Sequence, residues 1–577
     1  MSSVGETAVG RQPGASLLGL HARRMWKDRL FRWAMAAGGT AVFVALLLIF
    51  VYLLYVVAPI FAGATVHPAT ESPLAAGAGA TRHIALDEYA EVALRVTDAG
   101  RYSFIRTATN EVIESRHFAG LETGDAPVEQ LRVVAGDPGT GLIAVASRAG
   151  VLLAQSSYSV SYPGDVRLVT PAMTYPFGPV PIVIGGGGDL PAALAVQALE
   201  DEAVIVALDR NGRLQATRVT RELNFLTEEV SIEQETEQLA AGLVGATMLR
   251  LAEDLRSLIV ADEVGGLTVY DIRAPGNATA WPRVQVTAGA ARTTALEFLS
   301  GASSIVVGES SGTISQWFPV RGENGQPALT RIRDFTDLNA PVASIVPEHD
   351  RKGFIAITES GDIGVYHATA HRTLARTSFS DGRPTAIGIS PRADRLIAVT
   401  ADDKLTQARI ENEHPEISLH ALWQKVWYES RAEPQYIWQS SSASSDFEPK
   451  FSLMPLTFGT LKAAFYAMLF AVPMAVLGAI YTAYFMSAPM RRIVKPSIEI
   501  MEALPTVILG FLAGLWFAPF VERNMPGFFL IMLLLPPALI GAGYLWRFAP
   551  HRVRHRFPDG SEALLLLPVV CLTIAVA

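Results

Sequence analysis

The chain has 577 residues and a single cysteine, Cys571. That excludes an intramolecular disulfide and a cysteine-based zinc site. A basic excess is missing too: the formal charge is −8, and a general nucleic-acid binder would usually be basic. Between residues 82 and 412 no apolar run is long enough to cross a bilayer. That stretch has no nucleophile–base arrangement above chance. Gly185 to Gly188 follow Ile182-Val183-Ile184, but a phosphate loop would continue with Lys-Ser or Lys-Thr. This chain continues Asp189-Leu190-Pro191, which reads as a connection between strands. His83, His117, His349, His367 and His371 form no metal-ligand cluster, and His367 and His371 follow a strand rather than sit on a clear helix. No enzyme chemistry, metal or cofactor is expected.

What is present is segregated. Residues 1–32 carry Arg11, Arg23, Arg24, Lys27, Arg29 and Arg32, and residues 33–61 carry no charge. The next basic residue is Arg82. A cleaved signal has an apolar core of about 7–15 residues. This run is about twice that, so despite the signal-peptidase-like Ala62-Gly63-Ala64 it reads as a retained signal anchor. Residues 1–32 then stay cytoplasmic and the chain emerges outside.

From 82 to 412 one pattern recurs: three or four aliphatic or β-branched residues, then a polar turn with glycine. Leu142-Ile143-Ala144-Val145 precedes Gly150, Val204-Ile205-Val206 precedes Gly212, and Leu258-Ile259-Val260 precedes Gly265. Ile305-Val306-Val307 precedes Gly312, Phe354-Ile355-Ala356-Ile357 precedes Gly361, and Leu396-Ile397-Ala398-Val399 precedes Asp402-Asp403. A weaker copy surrounds Gly100. Such runs are strand, turn, strand. The turns lie 50, 62, 53, 47, 49 and 42 residues apart, which suits four-stranded blades. Seven copies suggest a WD40-like seven-bladed β-propeller, with an irregular sandwich or two smaller β domains as the alternative. Tyr270, Trp317 and Tyr366 each fall five residues after a turn glycine, as on the closing strand of WD40-type blades.

Residues 413–455 lead back. Leu419, Leu422, Trp423, Val426 and Trp427 have helical spacing behind Ser418, a capping residue. The segment reads either as an amphipathic helix on the membrane surface or as a helix docked on protein. Residues 456–577 hold further spans at about 456–485, 503–521, 528–546 and 563–577. Arg491, Arg492 and Lys495 follow the first, Glu522 to Gly527 form an external turn after the second, and Arg547, Arg552, Arg554 and Arg556 follow the third. Every short basic loop then falls on the cytoplasmic side. The final run, about 22 Å of helix, is short of the ~30 Å needed, so the chain is expected to be truncated there.

The motifs in this last part have a definite order: Gly459-Thr460-Leu461, Lys495-Pro496, Glu499, Glu502, then Pro505-Thr506-Val507-Ile508-Leu509-Gly510. Residues 451–516 thereby resemble the membrane subunits of bacterial phosphate-importing ABC transporters, the PstC type of permease, with Thr506 where the family has Ser. The resemblance implies a multi-pass inner-membrane permease that is not itself an enzyme. It also implies a separate ABC ATPase subunit, a second permease subunit, a periplasmic phosphate-binding protein and phosphate as solute. Gly459, Thr460, Lys495, Pro496, Glu499, Glu502, Pro505 and Gly510 are the motif positions it marks. The fold expected is therefore mixed: an α-helical membrane module in the lipid bilayer and an external all-β domain. The runner-up is a membrane-anchored periplasmic propeller acting as scaffold or sensor. Glu499 and Glu502 read as pairing with Arg491, Arg492 or Lys495 or as a subunit contact, or else as part of an ion path. Lys462 reads as snorkelling. Pro505 reads either as a functional kink or as a first-turn proline.

Overall fold

The computed structural model describes residues 15–74, 79–121, 131–165, 167–185, 189–223, 230–274, 276–322, 325–442, 447–502, 506–550 and 566–577, without the side chains of 15–24, 223 and 502. Two compact units divide the chain, Met1–Leu456 and Thr457–Ala577.

The first unit opens with helix α1, Ala15–Val57, and a 3-10 turn, Ala58–Phe61. The helix reaches back through Arg23 to Arg32, so the basic segment is partly helical and continuous with the apolar run. Its side chains from Met25 to Val57 are exposed.

Seven blades follow. The second strand of each is the apolar run visible in the sequence, and Val92–Thr97 and Gly353–Thr358 are buried at every position. An unalternating apolar run is what a strand covered on both faces requires. Here the cover is the neighbouring blade. Among the described residues seven apolar clusters fill the seven interfaces, from Val92, Leu94 and Ile143 between blades one and two to Ile84, Ala93 and Ile397 between blades seven and one. Blades five and six meet through aromatics: Phe335 lies edge-on to Phe354 at 5.6 Å, and Phe354 stacks on Tyr366 at 5.1 Å. Such pairs contribute about 0.5–1.5 kcal/mol each beyond area burial. Tyr270, Trp317 and Tyr366 are buried on the third strands of blades four, five and six, paired on both edges, rather than on an outermost strand.

The turn glycines have a double reason to be there. Gly100, Gly150, Gly212, Gly265, Gly312 and Gly361 all have positive φ, and Asp403 takes φ 55° at the seventh turn. A Cβ on Gly361 would also lie 2.8 Å from the Gly382 carbonyl oxygen, in the connection to the next blade. The turn therefore packs directly on backbone.

The ring closes with strands from the amino side. Blade seven has Ala386–Ile389, Arg395–Val399 and Lys404–Glu411, and its outer edge is Thr65–Val66 and Thr70–Pro73. Arg95 of blade one, almost fully buried, reaches Asp403 of blade seven at 2.9 Å. The chain thus enters and leaves the ring at one blade, with three residues between Phe61 and the first strand on the way in.

In the second unit, α3 (Met454–Ile480, beginning at its edge) follows α2 (Leu419–Trp423) of the first. A π turn, Tyr481–Phe485, ends α3. The segment read as a basic loop is helix α4, Ala488–Glu502, because its charges and apolar residues fall on opposite sides at 3.6-residue spacing. After residues 503–505 come α5 (Thr506–Leu512), a second π turn (Ala513–Phe517) and α6 (Ala518–Arg523). Only Asn524 separates α6 from α7, Met525–Arg547, so the turn read over Glu522 to Gly527 is shorter than expected. Pro526 at the second position of α7 starts that helix at no hydrogen-bond cost. The last helix, α8, is Leu567–Val576. Met25–Phe61, Met454–Phe485, Thr506–Arg523 and Met525–Arg547 are long and apolar enough to cross a membrane, and none of the four is buried within the chain.

Candidate functional site

The motif positions are spread over three helices. Gly459 and Thr460 lie in the first turns of α3, and a Cβ on Gly459 would meet nothing within 4 Å. Gly510 of α5 is equally open. On α4, Arg491, Lys495, Glu499 and Glu502 recur at i, i+4, i+8 and i+11, which lines them along one face. Pro496 sits within that helix and removes one intrahelical donor. Among the described residues Arg491 pairs with no acid. It donates to the carbonyls of Ala483 at 2.8 Å and Met486 at 3.1 Å, capping the π turn that ends α3. The two π turns are departures from α geometry of a kind that often marks function; the sequence reading did not foresee them. Pro505 lies outside the described residues, as does the side chain of Glu502. Lys462 points its ammonium at the Tyr466 ring, 6.0 Å from the centroid.

A second constellation was foreseen only in its capped helix and in one of its two readings, and its buried charges were not. Residues 413–442 and 447–453 form a strap lying on blades five and six. Ser418 caps α2 as expected, accepting from the Ala421 N–H at 3.0 Å, but the helix ends at Trp423. Val426 and Tyr428 continue in extended backbone and are buried with Ala421. Of the two readings of this segment, docking on protein is the one that matches. Trp427 lies edge-on to Phe318 of blade five at 6.2 Å, and its carbonyl accepts from Arg333 at 2.5 Å.

The strap is pinned by buried charge. Lys352 donates to Glu429 at 2.9 Å and to the Ser300 carbonyl at 2.5 Å. Ser304 donates to the other Glu429 oxygen at 2.6 Å and accepts from Gln316 at 2.8 Å. Glu448 accepts from Thr369 and from the Glu429 N–H. Desolvation raises the Glu448 carboxyl above its usual range, with Glu429 adding to the effect. Burial lowers Arg333 to about 10 against the pull of Glu448 and Glu429. His367 below them, hemmed in by burial and then by Arg351, Arg333 and Lys352, is lowered to about 3 and stays neutral; its Nδ1 accepts from the Ala370 N–H at 3.2 Å. Lys352 and Glu429 are 77 positions apart, so no local pattern announces the pair. A similar clamp holds the incoming chain: Arg372 donates to Phe61, Ala62 and Ile417 carbonyls, each at 2.8 Å. Gly63 passes so close to blade six that a Cβ would lie 2.7 Å from the Leu374 oxygen.

The propeller's axial cavity, roughly 450 Å³, is lined by first strands of the blades, including His83, Gln197, Arg250 and Glu297, and by the connections after them, including Asp137 and His349. Gln197 bridges blades there, accepting from Asp137 N–H at 2.7 Å and donating to Leu251 carbonyl at 3.3 Å. Arg250 is paired with Glu297 at 2.8 Å. Among the described residues no group of three or more His, Cys, Asp or Glu is placed to hold a metal. Gly185 lies in the connection between blades two and three, and Gly186 to Gly188 fall outside the described residues.

This combination of a seven-bladed propeller and apolar helices unburied by their own chain defines a mixed class. Comparison narrows it in part. The chain is 27% identical over 79 residues to a probable ABC transporter permease protein, YqgH, of Bacillus subtilis (strain 168). That match covers 14% of this chain and 26% of the relative, so the chain spans about a quarter of the protein it matches. No family model matches the chain.

Proposed function

We propose that the chain is a permease subunit of an ABC importer of the phosphate type, with its propeller on the outer side of a bacterial inner membrane. The observation that carries the proposal is the partial likeness to an ABC permease, coming from a chain that has four membrane-length helices among its described residues. Phosphate as the solute is carried over from the resemblance of the ordered motif from Gly459 to Gly510, and related permeases carry other oxyanions. The basic residues Arg491, Arg492, Lys495 and Arg547, all between or after spans, support the orientation. ATP hydrolysis belongs to a separate ATPase subunit, and a second permease and a periplasmic phosphate-binding protein complete the machine. The uninterrupted α1 and the docking of Ala62-Gly63-Ala64 on blade six support retention of the anchor.

The test has two parts. The full-length protein should co-purify with an ATPase and a second permease, and its deletion should abolish high-affinity phosphate uptake in starved cells. Normal uptake in a strain with no redundant system would favour a membrane-anchored propeller scaffold. A reporter fused at Asn277 should be active only outside the cytoplasm and one at Arg492 only inside; the reverse pattern removes the topology.

A further inference from the structure

In each blade the connection from first to second strand and the one from third to fourth lie on the same face of the ring. The glycine turns lie on the other. The incoming chain meets blade seven at Thr65 and Val66, opposite Glu411 and Ile410, where the third strand ends. The strap docks on Ser300, Ser304, Lys352 and Thr369, in connections of that same face. Both tethers to apolar helices therefore leave from one face.

The tethers are short. Residues 62–64 separate the apolar stretch ending at Phe61 from the blade-seven strand at Thr65, a reach of at most about 11 Å. On the other side there is no slack: Leu453 donates to the Leu422 carbonyl of the docked strap at 2.8 Å, and α3 begins at Met454.

Exposed aromatics sort by face. Between residues 65 and 453, the exposed aromatic residues among those described are Tyr89, Tyr162, Trp423, Tyr436 and Trp438. Tyr89 is in a first-to-second connection, Tyr162 at the tip of the blade-two hairpin, and the others on the strap. On the glycine-turn face the exposed large apolar residues among those described are aliphatic: Val180, Val183, Val244 and Val264. The blade-two hairpin, Gly150–Ser161 with Leu168–Thr174, also overshoots the second strand, which stops pairing at Leu142–Gln155. That overshoot of six residues is about 20 Å and carries Val160, Tyr162 and Leu168 outward.

We propose that this face rests in the headgroup layer of the bilayer, with Tyr162, Trp423, Tyr436 and Trp438 as interfacial anchors. The proposal rests on the membrane reading above. Tyr and Trp are favoured in that layer because the ring is apolar and one edge is wet. The anchors are dispersed around the rim, at blade two and across the strap on blades five and six, as contact with a plane requires; a protein partner would bury one contiguous patch.

The test uses the full chain with Cys571→Ser, in nanodiscs of phosphatidylethanolamine and phosphatidylglycerol containing a lipid with a nitroxide quencher high on its acyl chain. Single cysteines replace Tyr162, Trp438, Val244 or Val264 and carry a small fluorophore, and Leu469→Cys in α3 is the control. Emission at 162 and 438 should fall by roughly half or more when the quencher lipid is present, with 244 and 264 unchanged. Quenching at 469 without quenching at 162 and 438 overturns the proposal. If the labels at 162 and 438 are instead shielded from aqueous iodide as well, a protein covers this face and lipid is the wrong occupant. No quenching at 469 removes the membrane reading itself, and the proposal with it.

Discussion

The propeller and the helices use the same residue type in opposite ways. In the blades the turn glycines are packed against neighbours, backbone at Gly150, Gly212, Gly312 and Gly361 and side chains at Gly100 and Gly265, and Gly312 would place a Cβ 2.9 Å from the Ala340 oxygen. In the helices Gly459, Gly478, Gly510 and Gly514 face open space. The blades bury whole strands and satisfy their own interfaces. The membrane-length helices bury none of their most apolar window. One region is complete in itself; the other presents surface whose cover must come from lipid or other subunits. The sharpest way to break that contrast is Gly361→Val. It combines φ 90° with a close backbone oxygen and should cost at least about 3 kcal/mol. Thermal unfolding of the purified chain measures it, and an unshifted midpoint contradicts the turn assignment.

The strap is where the self-sufficient region meets the chain leading to α3, and charge holds it. Lys352→Met leaves Glu429, 12% exposed, without its cation. Breaking a buried pair from one side costs about 3–5 kcal/mol, whereas replacing both partners by apolar residues is often neutral. Hydrogen exchange at the strap amides should therefore rise strongly in Lys352→Met and return toward the wild-type level in Lys352→Met/Glu429→Met. Equal exchange in all three proteins would mean that packing of Tyr428 and Trp427 holds the strap alone.

Acid should probe the same junction. His367 is lowered from 6.5 to about 3, so the folded chain binds fewer protons than the unfolded one in that window. Its contribution to stability is complete above pH 6.5 and is lost as pH falls toward 3. From pH 7 to 5 the loss is about 2 kcal/mol. Glu448 and Glu348, both raised, act in the other sense: their cost grows as pH rises above 4.5. Comparing unfolding of the native chain with His367→Gln at both pH values isolates the histidine. A variant that destabilises by the same amount on acidification removes it as the titrating group.

Much of the propeller was legible because its signal is local and repeated. Buried second strands write unbroken aliphatic runs, and positive-φ turns write glycine, so the seven turns are visible one by one. The strap was not legible, because Arg333, Lys352, Glu429 and Glu448 acquire meaning only when distant segments meet. Helical spacing at Leu419 to Trp427 was real as far as Trp423; beyond it burial of Val426 and Tyr428 against the propeller overrode the period. Arg491, Arg492 and Lys495 read as a loop because basic charge suits a cytoplasmic turn; their alignment with Glu499 on one face was the missed helical signal.

The smallest effect on the chain alone, and the most informative about its surroundings, is expected from Gly459→Ala and Gly510→Ala. Among the described residues, beyond the helix's own neighbouring backbone, nothing lies within 4 Å of either added methyl. Alanine is also the better helix former, by up to about 1 kcal/mol. The unfolding midpoint of the isolated chain should therefore stay level or rise slightly. If these glycines let a neighbouring subunit's backbone approach, the same methyl groups will push it away, since small residues at such contacts permit close packing in lipid. The expected result is normal insertion and stability with less of the second permease co-purified. Unchanged co-purification for both variants would place the two glycines against lipid, and the subunit contact would then have to be sought along the charged face of α4.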